Sequence, residues 1–153
     1  MLLKLRQRMA RDESGFTLVE LLVVMLILGL LAAIAIPAFF NQRDKARDAD
    51  AKTLARTAQT AMETYATDND GSYASATPAI LIGIEETLNE ADLAGAETGD
   101  ALSVTSTADT YTVTVDSKNT PNDFSISRTS TGTVNLTCTV AASDGCPTGG
   151  NWD

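Results

Sequence analysis

In this chain of 153 residues, Glu20 is the only charged side chain between positions 16 and 40, in a stretch that is otherwise apolar. A carboxylate in a membrane helix is costly, about 2.5–3.5 kcal/mol for charged residues at mid-helix on translocon scales, so it marks a partner unless it merely reaches the headgroup region. Elsewhere the inventory is sparse. There is no histidine, which removes the common catalytic triads, histidine-ligated zinc and haem, and most acid/base work near neutral pH. Serine and threonine are plentiful, but no base accompanies them. Two cysteines, Cys138 and Cys146, cannot build a four-cysteine metal site or cluster. These residues point away from an enzyme, with no cofactor, metal or catalytic residue expected.

Charge narrows the partners. Against 20 acidic residues stand 11 Lys and Arg, a formal net charge of −9, which argues against nucleic acid as the main partner. The balance is uneven, because Lys4, Arg6, Arg8 and Arg11 against Asp12 and Glu13 make residues 1–15 +2 and leave the remainder at −11.

The element that must position Glu20 is a long helix. At ~1.5 Å per residue, residues 16–40 span roughly 37 Å, enough to cross a hydrocarbon layer of about 30 Å. A short basic segment before an apolar run also describes a cleaved secretory signal, but the run is long for that and no small-x-small site ends it, so an uncleaved anchor fits better. The positive-inside count leaves orientation open, with four basic residues before the span and five after it (Arg43, Lys45, Arg47, Lys52, Arg56). Residues 41–67 contain no Gly or Pro, and Ala51, Leu54, Ala55, Ala58, Ala61, Met62 and Tyr65 recur at helical spacing, which predicts an amphipathic continuation with a narrow stripe of mostly small apolar residues. Asp68-Asn69-Asp70-Gly71 reads as its stop. A faint calcium-loop likeness there fails on the glycine's offset and the missing glutamate. An unbroken helix over 16–67 extends ~78 Å, more than a small domain needs, so half is expected in lipid and half on a domain. Pro37 favours a kink in it, and Gly29 is a second weak point.

Beyond Gly71 the pattern is that of a compact domain. Residues 72–100 are turn-rich, with a short helix expected near 84–91. Strands are expected over 110–115, 124–127 and 133–140, with short links that imply an antiparallel meander. Asn135-Leu136-Thr137 matches a glycosylation sequon, but its place in a strand argues against modification.

The segment GFTLVELLVV, residues 15–24, at the start of a basic-led apolar helix resembles the N-terminus of type IV prepilins and of the related pseudopilins of type II secretion. The likeness includes the glycine, the aromatic residue after it, Glu20, and the later Gly29 and Pro37. It is strongest over residues 14–40. The resemblance implies that a membrane-embedded aspartyl prepilin peptidase cuts between Gly15 and Phe16 on the cytoplasmic side and that Phe16 is N-methylated. It thereby sets residues 1–15 inside and the acidic remainder outside. It implies an α+β fold of the pilin lollipop form: a long N-terminal α-helix, membrane-spanning and then amphipathic, packed against a small antiparallel β-sheet. The domains expected are a removed leader over 1–15, a transmembrane or filament-core helix over 16–40, an amphipathic helix over 41–71, and a globular domain over 72–153.

The new amine on Phe16 would lie one turn from Glu20. It would pair with that carboxylate in its own chain or, as the family implies, in a neighbour, with an attraction of about 4 kcal/mol at 4 Å and a dielectric of 20 before desolvation. Family filaments can lose helix between the positions matching Gly29 and Pro37. Outside the cytoplasm Cys138 and Cys146 read as a disulfide closing loop 138–146, as in many type IV pilins, two free thiols being the alternative. The implied partners are further copies in a helical filament, the peptidase and N-methyltransferase, an assembly platform with cytoplasmic motor ATPases, and membrane lipid before assembly. The chain would be a single-pass inner-membrane protein first and part of an extracellular pilus later. The functions weighed are a type IV pilus subunit for adhesion, twitching motility or DNA uptake, a major pseudopilin of type II secretion, and a bitopic membrane protein with a ligand-binding or active ectodomain.

Overall fold

The computed structural model describes residues 16–89, 102–118 and 120–153. The expected leader, including Gly15, and residues 90 and 91 of the expected short helix lie outside the described residues. The elements are helix α1 (Leu18–Asp68), helix α2 (Pro78–Ile84), a single 3-10 turn (Glu86–Leu88), and strands β1 (Leu102–Ser106), β2 (Tyr111–Asp116), β3 (Asp123–Arg128) and β4 (Val134–Cys138). The fold is α+β, a long N-terminal helix packed against a small antiparallel sheet. The chain divides into two compact units between Phe40 and Asn41.

In the first unit, α1 begins at Leu18 because Thr17 caps it. The Thr17 hydroxyl oxygen accepts the Glu20 N–H at 3.2 Å, and the Thr17 carbonyl accepts that of Leu21 at 3.2 Å. The helix runs through Gly29 and Pro37 without a break in its assignment.

In the second unit, α1 ends as the sequence predicts. Asn69 and Gly71 donate their N–H groups to the Ala66 carbonyl at 3.1 and 2.8 Å, and the Asn69 amide donates to the Tyr65 carbonyl at 2.7 Å. Asp70 and Gly71 take φ of 54° and 84°, the left-handed region in which glycine carries no Cβ penalty. Ala51, Ala55, Ala58, Ala61, Met62 and Ala66 are buried along one face, with Leu54 and Tyr65 partly buried beside them. Five threonines on this helix satisfy their hydroxyls locally: those of Thr53, Thr57, Thr60, Thr64 and Thr67 each donate to the carbonyl four residues back.

The sheet is a four-stranded antiparallel meander in sequence order. Its register aligns Leu102, Val115, Phe124 and Cys138 in one row and Val104, Val113, Ile126 and Leu136 in the next. These rows form the face in the core with the α1 stripe. The alternate rows, Ser103, Thr114, Ser125, Thr137 and Thr105, Thr112, Ser127, Asn135, are uncharged and polar, as a sheet with one wet face requires. Beside β4, Asn151 bridges Thr137, and the Trp152 N–H donates to the Leu136 carbonyl at 3.3 Å.

Two expectations are corrected. Most of the short helix observed, Pro78–Ile84, precedes the expected 84–91, because Thr77 caps it by accepting the Ile80 N–H and Pro78 begins it, while the 3-10 turn Glu86–Leu88 falls within the expected range. The strand Leu102–Ser106 was not expected. Its apolar residues are few, and pairing with β2 defines it.

Candidate assembly site

Residues 16–40 present large apolar side chains that are exposed among the described residues. Phe16 and Leu18 are each 79% exposed, and every large hydrophobic side chain from there to Phe40 is at least 44% exposed. By length and composition the helix can cross a bilayer. A continuous apolar surface of this size needs lipid tails or other apolar helices around it. Glu20 sits in its first turn, exposed, with the Thr17 hydroxyl donating to Oε2 at 3.5 Å. At the helix N-terminus its charge also meets the favourable end of the helix dipole. A Cβ at Gly29 would touch nothing within 4 Å, so packing inside this chain does not require glycine there. Pro37 has no N–H, so the Ala33 carbonyl lacks its regular donor.

The second unit is organised around two carboxylates on α1. Asp48 is fully buried and accepts four hydrogen bonds: from the hydroxyls of Ser117 (2.6 Å) and Thr120 (2.8 Å) on Oδ1, and from the Asn122 amide (2.7 Å) and the Gly145 N–H (2.8 Å) on Oδ2. One turn on, Lys52 Nζ donates to the Gly145 carbonyl at 2.6 Å, while the Asn122 amide also donates to the Ser143 carbonyl at 3.0 Å. Gly145 is required by close approach, since a Cβ there would fall 2.5 Å from Asp48 Cβ. Cys138 and Cys146 are joined by a disulfide, with their Cα atoms 5.9 Å apart. The loop it closes is therefore fixed twice, by a covalent bond and by side chains of α1.

Glu63 is the second carboxylate. It accepts the hydroxyls of Tyr73 at 2.7 Å and Tyr111 at 3.0 Å, with the Arg128 guanidinium at 3.5 Å. The two rings meet edge to face at 4.8 Å. Burial and then the hydrogen bond to Glu63 push both phenols above their ordinary value of 10.0. Near the C-terminus the Arg56 guanidinium and Lys52 Nζ lie 5.1 and 5.9 Å from the Trp152 ring, whose Nε1–H donates to the Thr137 carbonyl at 2.9 Å.

Of the residues singled out from sequence, Phe16, Glu20, Gly29 and Pro37 fall on the exposed apolar unit, and the cysteines meet as a bond in the other. Asp48, Glu63, Asn122 and Gly145 were missed. Asp48 sits in an alternating charged run that reads as solvated, yet it stands three and seven residues before Ala51 and Ala55 on the same stripe. That spacing was the available signal.

Residues 10–36 match the prokaryotic N-terminal methylation motif. The chain is similar to type II secretion system core protein G of Pseudomonas aeruginosa, 41% identical over 59 residues that are 39% of this chain and 42% of that protein. It is likewise 41% identical over 58 residues to the type IV major pilin protein PilA of Myxococcus xanthus, covering 38% of this chain and 26% of the pilin. With the type IV wide pilus major component PilA4 of Thermus thermophilus it shares 34% identity over 77 residues, half of this chain and 59% of that one. The chain thus spans about a quarter to three fifths of the length of these relatives.

Proposed function

We propose that this chain is a structural filament subunit of a type IV pilus. The observation that carries the reading is the bare apolar half of α1 with one carboxylate at its start. In this reading a prepilin peptidase cleaves between Gly15 and Phe16, the Phe16 amine is methylated, and Glu20 pairs with the amine of a neighbouring copy to set register. Residues 16–40 form the filament core and residues 41–153 the outer part, with Gly29 and Pro37 giving the core helix freedom to rearrange. The precursor waits in the inner membrane and the polymer stands on the cell surface. Moving from lipid tails to sister helices changes apolar hydration little, so a motor can drive assembly in either direction. The assembly platform and its ATPases are the partners this requires, and the disulfide-closed loop becomes filament surface. The similarity to a core protein of type II secretion supports a second reading, a short periplasmic pseudopilus with the same core.

Electron microscopy of sheared surface fibres, with mass identification of their main component, tests the choice. Long fibres of this chain support the pilus; no fibres beside a secretion defect support the pseudopilus. A Glu20→Ala variant made as the sole subunit should be cut normally yet give at least tenfold fewer fibres, counted by quantitative immunoblot of the sheared fraction.

A further inference from the structure

In the second unit, α2 is held on its inner side and bare on its outer one. Leu81, and Leu88 just beyond the helix, have no exposed surface, while Ile80 and Ile84, one turn apart, keep 37% and 38% of theirs. Gly83 lies on that outer face. A Cβ there would meet nothing within 4 Å, and its φ lies outside the left-handed region. Neither packing nor backbone conformation in this chain therefore asks for glycine, which weakens a helix relative to alanine and suits close approach by another backbone. Glu85 and Glu86 follow at once, both exposed and without an ion pair among the described residues. The part of α1 that opens this unit carries the opposite charge. Arg43 and Lys45 are exposed and form no ion pair among the described residues, and the exposed Ala46 and Ala49 lie one turn on from them, on the face between. The acids nearby are engaged or displaced: Asp44 pairs with Arg47 at 3.4 Å, Asp48 is buried, and Asp50 stands about two turns beyond Arg43.

We propose that these patches are the two sides of one contact between copies of this chain. The outer face of α2 seats on Ala46 and Ala49 of a second copy, with Glu85 and Glu86 against that copy's Arg43 and Lys45. The inference rests on the filament reading above and names the surface through which the outer parts meet. Subunits of net charge −9 repel one another, so their outer parts join best where unengaged cations meet carboxylates. Such cations are few. Of the four exposed Lys and Arg among the described residues, Arg56 lies over the Trp152 ring at 5.1 Å and Lys118 stands in a turn by itself, which leaves Arg43 and Lys45 as the exposed pair. Small residues on both sides let the two helices approach, and the isoleucines fill the space between them. Because the two patches differ, each copy keeps one of them open after pairing. The contact then repeats head to tail, as a filament requires, whereas a patch matched to itself would stop at a dimer.

The test uses the full chain in cells that assemble it, with polymer in the sheared fraction measured by quantitative immunoblot. Glu85→Lys with Glu86→Lys sets like charges at the contact and should lower the yield about tenfold or more. Adding Arg43→Glu and Lys45→Glu restores opposite charges with the sense reversed and should return it to within about threefold of the parent. Gly83→Gln should lower the yield by a similar factor, while the urea midpoint of the second unit in detergent stays at or above the parental value, because the added side chain meets nothing in its own chain. In cells that make Ala46→Cys and Gly83→Cys subunits together, oxidised polymer should contain a crosslinked pair of the two kinds, which neither variant gives alone. Parental yield from the Glu85→Lys, Glu86→Lys variant, no recovery in the fourfold variant, or crosslinks within one kind only would each overturn the inference. So would a lowered urea midpoint in Gly83→Gln, which would assign the glycine to folding. A parent that forms no polymer at all overturns the filament reading on which the contact rests.

Discussion

In residues 18–40 of α1 the large side chains stand open, Leu18 at 79% and Ile34 at 70% exposure, whereas farther along the same helix Ala55, Ala58 and Met62 show no exposed surface. The polar half offers its own sheet a seam of alanines, letting Val113, Val115, Phe124 and Ile126 from the strands fill the core. The apolar half offers bulk along its length and is left to lipid or to other molecules. A helix can thus be apolar without being buried in its own chain, and buried while carrying charge. The difference is the partner: a covalently attached sheet selects small residues and hydrogen-bonded carboxylates, an external hydrocarbon surface selects large side chains and almost no charge.

The contrast predicts that each half fails separately. Asp48→Asn keeps the size of the side chain but sets an NH2 against the Asn122 amide and the Gly145 N–H. It should cost the second unit ~3 kcal/mol, from bonds to a charged acceptor worth about 1.5–3 kcal/mol each, read by urea unfolding in detergent followed at Trp152, and leave membrane insertion of the precursor unchanged. Leu26→Arg should do the reverse. It should cost about 2.5–3.5 kcal/mol of insertion and remove assembly, with the unfolding transition of the second unit unmoved. Coupled losses in either variant would break the comparison.

Smaller effects sharpen it. Opening the Cys138–Cys146 loop by a Cys→Ser pair should cost up to ~2.6 kcal/mol on the chain-entropy estimate, and hydrogen exchange should show the Gly145 amide still protected by Asp48. Smallest is the alkaline response. Tyr73 and Tyr111 have pKa values raised above 10.0, so the folded state holds their protons after the unfolded chain releases them. Their contribution is complete below pH 10 and is lost as pH climbs beyond it; Tyr111→Phe should flatten that fall, measured as unfolding free energy against pH.

The helix over 16–67 was legible because its pattern is local: an apolar run, a small-residue stripe, and Asp68 to Gly71 as a stop, against Leu18–Asp68 observed. Three strands were legible from alternation, while Leu102–Ser106 gains its place by pairing with Tyr111–Asp116, a partner that no window within the strand contains. Glu20 stands out in the sequence because a carboxylate in an oily run is conspicuous.

Sequence by itself settled the apolar span with its lone acid and the helix-then-meander order, since those follow from composition and from periods of 3.6 and 2 residues. Only the tertiary structure decided that Asp48 is buried beneath residues 69 to 97 positions away and that Gly145 has no room for a Cβ. A buried carboxylate is stable only when donors distant in sequence converge on it, and convergence is a property of the folded chain.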